Sequence, residues 1–217
     1  MQAPQTFLPK KGNYRGLAFY KKAEVIYDLT YYFTGKFLSG YKDRTVDQMV
    51  QAARSGKQNI AEGCAAAATS AETELKLNNV ARASMQELLT DYEDYLRTRG
   101  LEQWSVNDER TQQTLAFCKT HEQTADFMHD IERRSDEAIA NIVITLIHQF
   151  DSMSRKYIDY LEKNFVEQGG IRERMTAARL GYRNNQKEEI ACLAQENEAL
   201  RKRIAELELK LKQTEGL

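Results

Sequence analysis

The chain has 217 residues, 41% of them hydrophobic, which is enough for one sizeable core and an appendage. Its formal net charge is −1, and both prolines, Pro4 and Pro9, lie within the first ten residues, so nothing beyond them interrupts a helix as proline does. Cys64, Cys118 and Cys192 are odd in number and lack metal-ligand spacing, which argues against a disulfide framework or a zinc site and leaves reduced thiols. The composition predicts an all-α protein, with glycines as its punctuation.

The near-zero net charge conceals an asymmetry. Residues 1–57 carry ten Lys/Arg against four Asp/Glu, whereas residues 58–170 carry eleven against twenty. Residues 171–187 are basic again, five against one, and residues 188–217 are slightly acidic, five against seven. Two basic blocks around an acidic middle point to an anionic partner or to the acidic region of a neighbouring subunit.

Residues 1–13 read as a flexible arm without the apolar run of a signal peptide. Residues 14–38 form a first helix with two apolar faces: Phe19, Ile26, Leu29, Phe33 and Phe37 on one, Leu17, Tyr20, Tyr27, Tyr31 and Leu38 on the other. One face suits a core and the tyrosine face a subunit contact. Interleaved with Lys10, Lys11, Arg15, Lys21 and Lys22, the aromatics also suit nucleic acid. Gly35 and Gly40 end this helix, and a second begins near Asp43.

Residues 46–68, VDQMVQAARSGKQNIAEGCAAAA, place Val46, Met49, Val50, Ala53, Ile60, Ala61 and Cys64 on one stripe. Arg54 lies at its edge and Lys57 within it, and Gly56 and Gly63 flank it, as at a close helix contact. Thr69-Ser70-Ala71-Glu72 reads as a capping box that opens a third helix, about 70–98, with Leu77, Val80, Ala81, Ser84, Leu88, Leu89, Tyr92 and Leu96 inward and Gly100 as its stop. Residues 101–134 read as a weakly amphipathic helical insertion carrying Leu115, Cys118, Ala125, Met128 and Ile131. Ser135-Asp136-Glu137 then starts a fourth core helix with Ile139, Ile142, Val143, Leu146, Phe150, Met153, Tyr157, Leu161 and Phe165, ended by Gly169-Gly170. The most hydrophobic window, residues 139–147, is too short and too polar to span a bilayer, so a cytoplasmic protein with no membrane partner is expected.

Chemistry is sparse. A di-iron bundle needs paired Glu-x-x-His motifs, and only Asp126-x-x-His129 approaches one. No phosphate loop, nucleophile elbow or zinc signature is present, so no catalytic residue, metal or cofactor is expected.

Asn59-Ile60-Ala61-Glu62-Gly63, preceded by Ala52-Ala53-Arg54-Ser55, resembles the family of ribosomal-RNA intervening sequence proteins, related to the accessory variability protein of diversity-generating retroelements. The resemblance runs from about Leu17 to Leu96 and resumes at about residues 137–165. It implies an up-down antiparallel four-helix bundle over residues 14–168, assembly as a homo-oligomeric ring of five, and in some members binding of nucleic acid and a reverse transcriptase through basic surfaces. This chain departs from short members by its insertion at about 101–134 and by its continuation. Residues 165–180, FVEQGGIRERMTAARL, resemble the four helix bundle suffix found after some such bundles.

In residues 169–187, the suffix helix, Arg172, Arg174, Arg179, Arg183 and Lys187 face only one acid, Glu173, and arginine's fork suits phosphates. The same segment could instead pack on an acidic bundle surface. In residues 188–217, a heptad puts Ile190, Asn197, Ile204 and Leu211 at a and Leu193, Leu200 and Leu207 at d, with Glu196 and Arg203 at g facing Arg201 and Glu208 at e of a partner. β-Branched residues and one asparagine at a, with leucine at d, predict a parallel two-stranded coiled coil; the alternative is a single amphipathic helix lying on the bundle. Together these features predict a non-enzymatic oligomeric scaffold that binds RNA or DNA through Lys21, Lys22, Arg54, Lys57 and the suffix cations. The alternative is a protein–protein adaptor with no nucleic-acid role.

Overall fold

The computed structural model describes residues 13–38 and 44–215, less the side chains of residues 168, 209 and 211–215. Residues 1–12 of the arm expected over residues 1–13, with Lys10 and Lys11, lie outside the described residues, as do the stop expected at Gly40, the start expected near Asp43 and the Leu211 side chain. All regular structure among the described residues is helical, in two units, residues 1–170 and 171–217. None of the described helices is long and apolar enough to cross a membrane.

The first unit opens with a 3₁₀ turn, Tyr14–Gly16, followed by α1, Ala18–Phe33, which runs on into a π-helical turn, Thr34–Leu38. Then come α2 (Arg44–Ala66), α3 (Ala71–Arg99), α4 (Glu109–Thr120), α5 (Thr124–Met128), a 3₁₀ turn Ile131–Arg133, and α6 (Asp136–Gln168). Helices α1, α2, α3 and α6 share one core: α2 packs on α1 and α3, and α6 packs on α1 and α3. Phe33, Tyr92, Met85, Leu88, Ile139, Leu146 and Phe150 are fully buried in it.

Both faces of α1 are used within the chain. Phe19, Ile26, Leu29 and Phe33 are buried as expected, and so are Tyr20 and Leu38 from the second face. Tyr20 packs edge-on against Tyr14, and Tyr27 lies under Lys57 of α2, while the insertion meets α1 at Lys21, Lys22 and Asp28. Tyr31 of the second face stays largely exposed, at 66%.

The glycines of α2 mark a close approach to α3. A Cβ on Gly56 would lie 2.6 Å from Cε of Met85, and one on Gly63 would lie 3.1 Å from Nδ2 of Asn78. Ser55 and Ser84 hydroxyls meet at 3.0 Å between them. The N-cap of α3 is Ser70, whose Oγ accepts from the Thr73 N–H at 3.1 Å. The expected cap, Thr69, instead donates to the Ala66 carbonyl at the end of α2, which shifts the start by one residue. Val80, expected inward, is 41% exposed, because the inward stripe runs through Glu74, Asn78, Ala81 and Met85. Glu74 and Asn78 are polar, so hydropathy passes over them, while Ala81, Ser84, Leu88, Leu89, Tyr92 and Leu96 are buried as expected. Gly100 ends α3 in the left-handed conformation, φ 64°.

The helical insertion consists of two short helices and a turn: Asp108 caps α4, and the stretch after Thr120 turns extended at His121. Asn141 of α6 ties it down: its Oδ1 accepts from the Trp104 N–H at 2.8 Å and its Nδ2 donates to the Glu102 carbonyl at 2.8 Å. The break expected at Ser135 is present, its Oγ accepting from the Ala138 N–H. Residues 139–147 of α6 are buried all round, since α1, α3 and α4 enclose them. Phe165, expected in the core, is 44% exposed near the helix end.

The second unit is a single helix, α7, Ile171–Glu215, 45 residues long. The suffix and the heptad tail, expected as separate elements, are continuous. Gly181 alone lies inside, and one glycine costs about 1 kcal/mol, too little to break a helix without a proline.

Candidate functional site

The basic residues predicted on the first unit go to different neighbours. Lys21 is partly exposed and pairs with Glu122 of the insertion, holding that carboxyl below the usual carboxylate range. Lys22 is buried, and its Nζ donates to the Cys118 carbonyl at 3.0 Å. Burial lowers its pKa, and the ammonium is held inside the fold rather than offered to a phosphate. Lys57 is half-buried with its Nζ 4.2 Å from the centre of the Tyr27 ring, a cation–π contact. This accounts for a charge within an apolar stripe. Arg54 is exposed beside a shallow polar groove with Ser55, Gln58, Asn59 and Glu62.

Sequence reasoning missed two polar clusters between α3 and α6. Asp151 takes Arg82 Nε at 2.5 Å and Arg155 at 2.9 Å. Glu74, 7% exposed, accepts the Tyr157 hydroxyl at 2.8 Å, and burial holds its carboxyl above the usual carboxylate range. Burial likewise raises the Cys64 thiol near them. A carboxylate at an inward helix position opposite a tyrosine was the signal available for this cluster. Among the described residues no three His, Cys, Asp or Glu side chains are grouped to hold a metal.

The remaining candidates lie on α7. Arg172, Arg179, Arg183 and Lys187 are exposed and Arg174 is half-buried. Beyond them the heptad residues form a row: Ile190 is 66% exposed, Leu193 51%, Leu200 56%, Ile204 54% and Leu207 48%. Asn197 interrupts the row, its Nδ2 donating to the Leu193 carbonyl at 3.0 Å. Charges beside the row pair along the helix, Lys202 with Glu198 at 2.9 Å and Arg203 with Glu206 at 3.0 Å. Such a stripe is chemically inert but adhesive: it offers apolar area to a surface of matching period and cations to an anion.

No protein-family model, no curated protein and no solved structure matches the chain.

Proposed function

We propose that the chain is a non-enzymatic, self-associating helical scaffold that pairs through α7 and carries nucleic acid on that helix's basic half. The observation that carries this reading is the heptad row of five large apolar side chains, each about half exposed on a long helix. Soluble chains leave so long an apolar stripe open when something covers it. A second copy fits best, because Asn197 at a, leucine at d and the Glu196–Arg201 and Arg203–Glu208 complementarity favour a parallel pair.

For the first unit we propose an up-down antiparallel bundle of α1, α2, α3 and α6, as the resemblance to the intervening sequence family implies. Partner positions support it. Along α3 and α6, Glu74 meets Tyr157, Arg82 meets Asp151 and Tyr95 meets Asp136, one series rising as the other falls. Phe19 at the start of α1 packs edge-on against Phe150 and tilted against Tyr157, and Phe33 at its end meets Tyr95. Gly56 and Gly63 face Met85 and Asn78 in the same falling order along α2 and α3. The ring of five implied by the resemblance and the pairing implied by α7 are compatible if tails join two rings.

The second reading, a protein–protein adaptor, is favoured by the commitment of Lys22 and Lys57 within the fold and by the acidity of residues 58–170. A salt-dependent shift assay separates the two. The scaffold reading expects the full chain to bind RNA or DNA at low salt, and Arg172, Arg174, Arg179 and Arg183 all changed to Ala to weaken it. No binding of either nucleic acid leaves the adaptor. Deleting residues 188–217 should lower the mass seen by light scattering, and an unchanged mass would remove the pairing.

A further inference from the structure

The heptad of α7 can be counted backwards from Ile190. Residue 186 falls at d, 183 at a, 179 at d, 176 at a and 172 at d. Those positions hold Gln186, Arg183, Arg179, Thr176 and Arg172, and Lys187 falls at e beside them. The helix is unbroken through this change, yet its seam turns from Leu/Ile to arginine. Arg172, Arg179, Arg183 and Lys187 therefore share one face, and all four are exposed.

We infer that the paired α7 helices part N-terminal to Ile190 into two arms whose arginine-lined inner faces straddle duplex nucleic acid. This rests on the pairing proposed above. In a parallel pair each seam residue meets its own copy, so Arg183, Arg179 and Arg172 would oppose like charges where leucines would otherwise close. Unpaired like charges cannot be buried against one another, so the seam opens unless an anion enters. From Arg172 to Arg183 is about 16 Å along a helix rising 1.5 Å per residue, a span that meets several phosphates of a duplex carrying one charge per roughly 1.7 Å. The guanidinium fork binds phosphate oxygens bidentately, and a major groove about 12 Å wide admits a helix.

A competing seam can be traced through Ile171, Met175, Ala178 and Tyr182, which also share a face. Asn185 and Glu189 interrupt it before Ile190, so it does not join the apolar row. An acidic protein surface is the other candidate occupant. Its carboxylates lack the regular spacing of a phosphate backbone, which is what a linear row of arginines matches.

The test uses the full chain, a mixed-sequence 24-base-pair DNA duplex, the matching single strand and polyglutamate as competitor. The duplex should bind best, with log affinity falling steeply against log salt. Changing Arg172, Arg179 and Arg183 together to Gln should weaken duplex binding at least tenfold at low salt. It should also flatten the slope by about 5, as expected when each pair no longer neutralises about six phosphates, at about 0.9 each. Leu193→Asp with Leu200→Asp, which separates the pair but keeps every arginine, should also weaken binding at least tenfold. If that variant loses its helix by circular dichroism, deletion of residues 188–217 replaces it. Arg179→Leu with Arg183→Leu should tighten pairing, seen as dissociation at lower concentration, and abolish binding. A full chain that is single in solution would remove the pairing itself. A paired chain that ignores duplex, binds single strand or polyglutamate equally well, or is not tightened by the leucine substitutions would overturn the fork and leave the pairing intact.

Discussion

Gly56→Ala tests the contact on which the α2–α3 packing depends. In a helix interior, alanine should gain about 1 kcal/mol over glycine. Here the new Cβ would lie 2.6 Å from Cε, 3.0 Å from Cγ and 3.1 Å from Sδ of Met85, against an ordinary carbon contact of about 3.5–4.0 Å. The Met85 tip can swing, but Cγ cannot move without the whole side chain, and Met85 is fully buried. Overpacking of this kind costs about 1–3 kcal/mol, which exceeds the helix gain at most of that range. The expected net loss is about 1 kcal/mol, or roughly 2–4 °C in Tm for a chain of this size. Gly63→Ala serves as the control, since its closest atoms are Asn78 Nδ2 at 3.1 Å and two others at 3.4 Å, and it should be near neutral. Thermal unfolding by circular dichroism measures both. Met85→Ala should then cost less in the Gly56→Ala background than alone, because the new methyl fills part of the space left by the shortened side chain. A Gly56→Ala variant at least as stable as the parent, with additive behaviour at Met85, would refute the close approach.

Burial makes the folded chain hold the Glu74 proton to higher pH than the unfolded chain does. The Glu74 contribution to stability is thus intact below its unfolded pKa and lost as pH rises through its folded one. Glu74→Gln should flatten the fall in stability above the ordinary carboxylate range and raise stability at neutral pH, as followed by urea unfolding across pH; an unchanged slope would contradict this. Asn141→Ala should cost about 2 kcal/mol by stripping partners from the Trp104 N–H and the Glu102 carbonyl. Since Trp104 is the single tryptophan, its emission should shift to the red before global unfolding. Lys22→Met should leave nucleic-acid affinity and its salt slope unchanged, because that ammonium is spent on the Cys118 carbonyl; a flatter slope would return Lys22 to the binding surface.

Local signals proved the most legible. The stop at Gly100, the cap at Ser135 and the small-residue contacts at Gly56 and Gly63 depend on a few neighbouring residues, and each stands where spacing put it. What failed depended on segments far apart in the chain. Lys22 reads as a solvated cation until a helix 96 residues later supplies a carbonyl for it. Its spacing of three from Phe19 and Val25 was the available hint. Ser84 was legible among the inward residues of α3, but Glu74 was not, because Tyr157, which satisfies it, lies on another helix. The split expected at residue 187 or so was a change of composition, not of backbone, and one helix carries both compositions.

Pairing through α7 is the central claim, and the mass of the full chain against that of Leu193→Asp/Leu200→Asp tests it most directly. With a chain mass of 25.0 kDa, light scattering should give an even multiple for the parent, and the variant should give half of it, whether the parent is one pair or two joined rings. The helical signal should be otherwise preserved. A mass that the two charges leave unchanged would contradict the account.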